Sequence, residues 1–181
     1  MEEYAHILDY LAQGLPTGGF AKREPLSYAI GEEEFKLFEI VPKANVTVSP
    51  GDRVYIGKET TLRTQVDHIK RRVGFDELTN AAKAELEFVI LGIVMKSQER
   101  FIRFYNEAEA ISLRKHMLEE LPGLGKKTLI AILDERKKGK FKEFTDLGTR
   151  VPLLKGPEKL IVKRIVQELS DTTLKHYIFV R

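Results

Sequence analysis

The residues best suited to do chemistry lie in the run Leu121-Pro122-Gly123-Leu124-Gly125-Lys126-Lys127. Proline disfavours helical geometry in the residue before it, so a helix expected over Ser112–Glu120 ends at Leu121-Pro122. A second helix is expected over Thr128–Lys138, with Leu129, Ile132 and Leu133 on one face and basic residues elsewhere. Gly123 and Gly125 permit positive φ and the close approach of another backbone. Free N–H groups at the start of the second helix, at the positive end of its dipole, favour a phosphate. Lys126 and Lys127 add full charges there. The chemistry that follows is non-covalent: the main chain around Gly123, Leu124 and Gly125, with the two lysines, gripping a nucleic-acid backbone.

The charge distribution supports this. The chain of 181 residues carries a net charge of +3, but residues 1–110 hold 14 Lys and Arg against 18 Asp and Glu, a balance of −4. Residues 111–181 hold 16 against 9, a balance of +7, so the basic footprint coincides with the glycine turn. The alternative is a basic helical surface with no partner. The remaining composition, 43% hydrophobic and 31% charged, is that of an ordinary globular chain. No apolar run approaches the roughly 20 residues of a membrane span, and the acidic start Met1-Glu2-Glu3-Tyr4 has no signal-peptide pattern. Without cysteine there is no disulfide and no thiolate metal site. A cytoplasmic protein with no cofactor and no membrane partner is expected.

An enzyme needs a constellation, and none is legible. His6, His68, His116 and His176 are far apart and match no metal-ligand spacing. No serine sits in a G-x-S-x-G elbow and no kinase set is present. Two-metal chemistry requires convergent carboxylates, whereas Glu32-Glu33-Glu34 and Glu119-Glu120 are contiguous and point their side chains apart. A non-catalytic role is expected.

The elements that must position the turn follow the chain in order. Tyr4–Leu11 is an apolar segment followed by the loop Gly14-Leu15-Pro16-Thr17-Gly18-Gly19, which lacks the lysine and helix of a phosphate cradle and reads as a flexible connection. Lys22-Arg23 just beyond it is a possible phosphate contact. Leu26–Ile30, Phe35–Val41, Arg53–Ile56 and Val66–Val73 read as strands, with Pro42 ending the second and Ser49-Pro50-Gly51-Asp52 a turn. Such closely spaced short strands suggest a small barrel, the oligonucleotide-binding type being one candidate. The cluster Lys70-Arg71-Arg72, with Arg63 nearby, has two open readings: a solvated barrel edge or a second phosphate-contacting surface.

Composition shifts at Phe75. With Asp76 as N-cap, Leu78–Lys96 is a core helix, Leu78, Ala82, Leu86, Val89, Ile90 and Ile93 facing inward. In Arg100-Phe101-Ile102-Arg103-Phe104-Tyr105 arginines interleave with aromatics. Exposed, that pattern stacks bases; the preferred reading is helix packing with the arginines in water. After the glycine turn, Phe141 and Phe144 anchor a connector, and Thr145 is expected to cap a short helix at Asp146–Arg150. Val151-Pro152-Leu153-Leu154-Lys155-Gly156-Pro157 then leads into a helix through Leu169, with Ile161, Ile165, Val166 and Leu169 inward and Lys159 and Lys163 on an outer stripe. The two units lie about thirty residues apart, an internal duplication. Leu174–Val180 is expected to be a strand returning to the N-terminal sheet.

Leu121–Leu129 resembles the helix-hairpin-helix motif, hydrophobic-x-Gly-hydrophobic-Gly before a helix. The connector with Phe141, Phe144, Asp146 and Leu147 is similar to the link in tandem helix-hairpin-helix domains of DNA-uptake receptors and excision nucleases. In the second hairpin Leu153 stands where the first glycine belongs, and Lys155 is an insertion before Gly156, which assigns this hairpin chiefly to packing support. The whole chain also resembles domain-of-unknown-function family 655, an archaeal family. The phrases Gly51-Asp52-Arg53-Val54-Tyr55-Ile56-Gly57-Lys58, Lys70-Arg71-Arg72-Val73 and His116–Lys127 carry that resemblance. It implies an oligonucleotide-binding-like barrel joined to a tandem helix-hairpin-helix, and RNA binding.

The expected fold is therefore α+β. An OB-like β-barrel occupies residues 1–74, connecting helices 75–110, a tandem helix-hairpin-helix 111–170 and a C-terminal strand 171–181. The expected function is non-catalytic binding of an RNA or DNA backbone, RNA preferred, with other proteins of a processing complex as possible partners. The expected contacts are Gly123, Leu124, Gly125, Lys126, Lys127, Lys155, Gly156, Lys159, Lys70, Arg71 and Arg72. The alternative is a protein-interaction adaptor in such a complex.

Overall fold

The computed structural model describes residues 1–16 and 23–181. Thr17, Gly18 and Gly19 of the expected loop, and Lys22 of the possible phosphate contact, lie outside the described residues. The chain forms two compact units, Met1–Val89 with Glu168–Arg181, and Ile90–Gln167.

The first unit is built on five strands: β1 (Tyr4–Leu11), β2 (Leu26–Gly31), β3 (Leu37–Pro42), β4 (Arg53–Tyr55) and β5 (Val66–Arg72). All pairings are antiparallel in the order β4-β1-β2-β3-β5. The first four follow the Greek-key order 4-1-2-3. The sheet curls into a half-barrel with β4 and β5 at its edges, so the small barrel expected from strand spacing is an open one. A three-residue β4 offers too short a ladder to complete a ring. β2 and β3 are buried at every position, which is why they read as nearly continuous apolar runs. In β1 a bulge at Leu8 breaks the alternation, so that Ile7 and Leu8, adjacent in sequence, are both fully buried.

Two buried carboxylates hold the irregular parts of this unit. Glu2, 5% exposed, accepts the N–H groups of Glu33 and Glu34, each at 2.8 Å, and of Lys36 at 3.3 Å. This closes the turn between β2 and β3. Gly31 makes room for it, because a Cβ there would lie 2.0 Å from the Glu2 carboxyl carbon. In the same turn Phe35 sits at φ 57, a costly conformation for a non-glycine residue, held by complete burial of its ring. Glu168 accepts the N–H groups of Ile178, Phe179 and Val180 at 2.8, 2.9 and 2.9 Å. The tail is therefore not the expected strand: its amides are taken by a carboxylate instead of a ladder, and its last N–H, from Arg181, donates to the Glu34 carbonyl at 3.1 Å.

Helix α1 (Asn80–Lys96) starts in the first unit. Its cap is Thr79, whose Oγ1 accepts from the Ala82 N–H at 3.1 Å and donates to Asp9 Oδ2 at 2.6 Å. Asp76, the expected cap, lies instead in the 3-10 turn Phe75–Glu77, which an extended Leu78 separates from the helix.

The second unit contains the end of α1, then α2 (Gln98–Glu107), α3 (Lys126–Lys137), α4 (Phe144–Arg150) and most of α5 (Pro157–Ser170). In α2, Phe101, Ile102 and Tyr105 are buried while Arg100 and Arg103 are exposed, the packing arrangement preferred above for this aromatic–arginine run. The helix expected over Ser112–Glu120 is reduced to a four-residue 3-10 turn, Met117–Glu120. Ser112 Oγ accepts from the N–H groups of Arg114 and Lys115, each at 3.2 Å, a local turn that competes with helix formation. Thr145 lies inside α4, not at its cap; the Phe144 N–H donates to Gln98 Oε1 at 3.1 Å.

Removing the Glu2 carboxylate strands three backbone donors at once. We expect Glu2→Ala to lower stability in urea denaturation by about 2–3 kcal/mol, since hydrogen bonds to a charged acceptor are the stronger kind. The exposed neighbour Glu3→Ala should change it by less than about 0.5 kcal/mol.

Candidate nucleic-acid interface

The turn between the Met117–Glu120 segment and α3 is closed by the N–H of Leu124 donating to the Leu121 carbonyl at 3.2 Å and that of Leu129 to the Gly125 carbonyl at 2.9 Å. Leu121 and Leu124 are buried, so Leu124, an expected contact, offers a ligand its main chain and not its side chain. The two glycines have different reasons to be there. Gly123 is left-handed, at φ 87, where only glycine is unstrained. Gly125 is in ordinary extended geometry, φ −88 and ψ 173, so the expectation of positive φ does not hold for it. A Cβ at either position would meet nothing within 4 Å. Gly125 is thus required neither by its conformation nor by its neighbours; it leaves the helix start bare.

That start is unusual within this chain. α3 has no capping side chain and no acid in its first turn. The other four α-helices of the described residues each have one or the other: Thr79 for α1, Glu99 for α2, Asp146 for α4 and Glu158 for α5. The first N–H groups of any helix lack intrahelical partners. At α3 none of them has an acceptor among the described residues, and two exposed lysines stand beside them. Lys126 is tied, at 2.9 Å from Glu119 Oε1 and donating to the Arg114 carbonyl at 3.2 Å. Lys127 is exposed and has no ion pair among the described residues.

His116 braces the approach to the turn. Its Nδ1 accepts from the Leu118 N–H at 3.1 Å, while the Glu119 carboxylate accepts from the His116 N–H at 2.7 Å, a reciprocal capping box. Burial, then the nearby Arg136 guanidinium, holds the His116 imidazole below its ordinary pKa and keeps it neutral, as an accepting Nδ1 requires. The hydrogen bond from its own His116 N–H, followed by Lys126, holds the Glu119 carboxyl below the usual carboxylate range.

The second hairpin repeats the plan. Leu154 N–H donates to the Val151 carbonyl at 3.0 Å and Leu160 N–H to the Gly156 carbonyl at 3.3 Å, both counterparts of bonds in the first. Val151 and Leu154 are buried as Leu121 and Leu124 are. The inserted residue shifts the left-handed position to Gly156, at φ 61. Its helix start is less inviting: Pro157 has no N–H, Glu158 adds negative charge, and the Lys159 side chain lies over Gly156, 3.1 Å from where a Cβ would sit. Lys155, Lys159 and Lys163 are nonetheless exposed and without ion pairs among the described residues. Tyr105 donates to the Pro157 carbonyl at 2.7 Å, and burial raises its phenol's pKa.

Arginines that the sequence grouped with the basic surface are structural. Arg164, 2% exposed, donates to both the carbonyl and Oε2 of Glu120 at 3.1 Å, joining the second hairpin's helix to the lead-in of the first. Arg136 donates to the carbonyls of Tyr105 and Ala108, and Arg150 to those of Glu135 and Gly139. Nothing in their spacing distinguished them from solvated arginines; the only signal was Arg164 lying among Ile161, Val162 and Ile165.

Lys70, Arg71 and Arg72 belong to the first unit, on the edge strand β5. Arg71 is bound on both sides, to the two oxygens of buried Glu39 at 3.0 and 2.8 Å and to Glu77 Oε1 at 2.7 Å. Lys70 is the extra residue of a bulge opposite Glu39 and Ile40, and it and Arg72 are exposed without ion pairs among the described residues. Arg63 donates to the carbonyls of Ile56 and Gly57. Among the described residues no three His, Asp or Glu side chains converge to hold a metal ion, and no helix is long and apolar enough to cross a membrane.

With this geometry, the family described as "Protein of unknown function (DUF655)" matches residues 1–181. The chain is 42% identical over 181 residues to the "Uncharacterized protein MJ0038" of Methanocaldococcus jannaschii, covering 99% of this chain and 80% of that protein. The crystal structure of Af1531 from Archaeoglobus fulgidus superposes with a TM-score of 0.93 at 41% identity, covering 99% of this chain and 100% of that one.

The His116 cap has a pH signature. A depressed imidazole pKa contributes stability that is fully present above the unfolded value and lost as pH falls through the folded one. Melting temperature should therefore fall between about pH 7 and pH 5. His116→Ala should cost about 1 kcal/mol at pH 7 and flatten that fall in thermal denaturation.

Proposed function

The chain belongs to the family described as "Protein of unknown function (DUF655)", and from that premise we propose that this protein is a non-catalytic binder of nucleic-acid backbones, RNA before DNA. The grip is the helix-hairpin-helix turn at Gly123–Lys127. One observation carries the reading: α3 is the single α-helix of the described residues whose start has neither a capping side chain nor an acid. Backbone N–H groups at a helix start, with the dipole behind them, bind anionic oxygens, and Lys127 brings an unspent charge. A glycine without conformational need at Gly125 keeps a methyl group out of the path of an approaching phosphate.

The second hairpin supports the tandem reading through its equivalent turn bonds and its core link, Arg164 to Glu120. The Greek-key order of the half-barrel fits an oligonucleotide-binding-like unit, a partly open five-stranded Greek-key barrel. On its β5 edge Lys70 and Arg72 are the residues with charge to offer, while Arg71 serves Glu39 and Glu77. Contacts of this kind position a nucleic acid without reading its sequence. The lack of cysteine suits a cytoplasmic residence.

Gly125→Ala is the discriminating variant. Its φ suits alanine and its methyl meets nothing, so stability should hold within about 0.5 kcal/mol while affinity for a 20-nucleotide RNA duplex falls about tenfold, or 1.4 kcal/mol. Gly123→Ala should instead cost about 1–2 kcal/mol of stability through its left-handed backbone. Lys127→Ala should flatten the slope of affinity against salt by about one unit. Wild-type affinity in Gly125→Ala together with an unchanged slope in Lys127→Ala would overturn the grip. No binding of RNA or DNA at low salt, with a protein partner recovered, would favour the adaptor.

A further inference from the structure

The two hairpins share their turn bonds and buried anchors but not their tips. Where the first has Gly123, the second has Leu153, 60% exposed, preceded by exposed Pro152 and followed, after buried Leu154, by exposed Lys155. The inserted residue makes this possible. It moves the left-handed position from the residue after proline to Gly156, so the position matching Gly123 no longer needs a glycine. A bulky side chain is then free to stand at the tip, and the chain places leucine there.

An exposed leucine next to proline contributes nothing to the buried core of this unit. Polar residues suit an exposed turn better, and the same hairpin carries lysines: Lys155 two residues on, Lys159 with its side chain over Gly156, and Lys163 farther along the helix, all exposed and unpaired among the described residues. An apolar knob on a hairpin that also carries cations matches a ligand that presents apolar faces between anionic groups. Nucleobases between phosphates have that pattern. In a continuous duplex the base faces are hidden by stacking; they are open where a base is unpaired or bulged, and leucine and proline are among the side chains that enter such steps.

We propose that Pro152-Leu153 is an apolar wedge that enters a base step already weakened by an unpaired nucleotide, while the second hairpin's lysines hold the flanking phosphates. The inference rests on the backbone grip of the first hairpin and names its substrate class: RNA helices interrupted by a bulge or a strand junction. The first hairpin supplies affinity that is blind to the interruption, and the second supplies preference for it. Arg164, bonded to Glu120, keeps both hairpins in one packed unit.

The test compares a fully paired RNA duplex with the same duplex carrying one bulged 2-aminopurine, titrated with the intact protein at fixed salt. Wild type should prefer the bulged duplex by about tenfold, the scale of a contact to one unstacked base, and should change the fluorescence of the bulged base. Leu153→Ala should lose the preference and the fluorescence change while keeping the affinity for paired duplex and the melting temperature. Leu153→Met, which keeps an apolar knob, should retain the preference. Equal discrimination by Leu153→Ala and wild type, or no discrimination by wild type on binding both duplexes, would overturn the wedge and leave the backbone grip standing. Failure of wild type to bind either duplex would overturn the backbone grip, and the wedge with it.

Discussion

Wherever this chain leaves regular secondary structure, its backbone N–H groups have to find acceptors; main-chain carbonyls supply many of them, and carboxylates serve several of the most irregular segments. Glu2 serves the turn between β2 and β3, Glu168 the C-terminal tail, Glu77 the residue before a 3-10 turn, Glu119 the lead-in to the first hairpin, and Asp146 the connector before α4. A buried amide without a partner costs about 1–3 kcal/mol, so these acids help hold those segments in place. The acidic run Glu32-Glu33-Glu34 is tied in the same way: Glu32 binds Arg53 and His6, while the N–H groups of Glu33 and Glu34 are held by Glu2. Against this practice the start of α3 stands out. Its first donors have neither a capping side chain nor an acid in the first turn, and the proposed function follows from that departure more than from net charge.

The basic residues divide in a related way. The second unit holds 17 Lys and Arg against 10 Asp and Glu, a balance of +7, yet several of its arginines are committed to carbonyl oxygens inside the fold. A guanidinium can satisfy two or more acceptors in fixed geometry while a lysine offers a mobile point charge. Arginine accordingly does the internal stitching here, and lysine carries the surface potential at the hairpin tips.

Much of the architecture was legible before the structure. The four expected strands and the helices α1, α3 and α5 come within two residues or so of their expected bounds, and the apolar segment Tyr4–Leu11 is β1, since apolar periodicity and Pro/Gly punctuation register burial directly. Three local readings failed for physical reasons. Ser112 draws the next amides into a side-chain turn and prevents a helix. The tail 174–180 has the apolar alternation of a strand, but Glu168 takes its amides. At Gly125 the motif suggested positive φ, whereas its backbone is extended and the space around it is empty. Long-range partners of single charged groups, such as Arg164 with Glu120 or Arg71 with Glu39, leave no periodic trace and could not have been read.

The most direct measurement is a residue-resolved one. Backbone amide N–H chemical shifts, followed by NMR as a short RNA duplex is titrated in at low salt, should move most at Gly125, Lys126, Lys127 and Thr128, with the same amides responding in kind to inorganic phosphate. Shifts concentrated elsewhere in the chain, with those four amides unmoved at saturating RNA, would contradict the claim that the bare start of α3 is what holds the backbone.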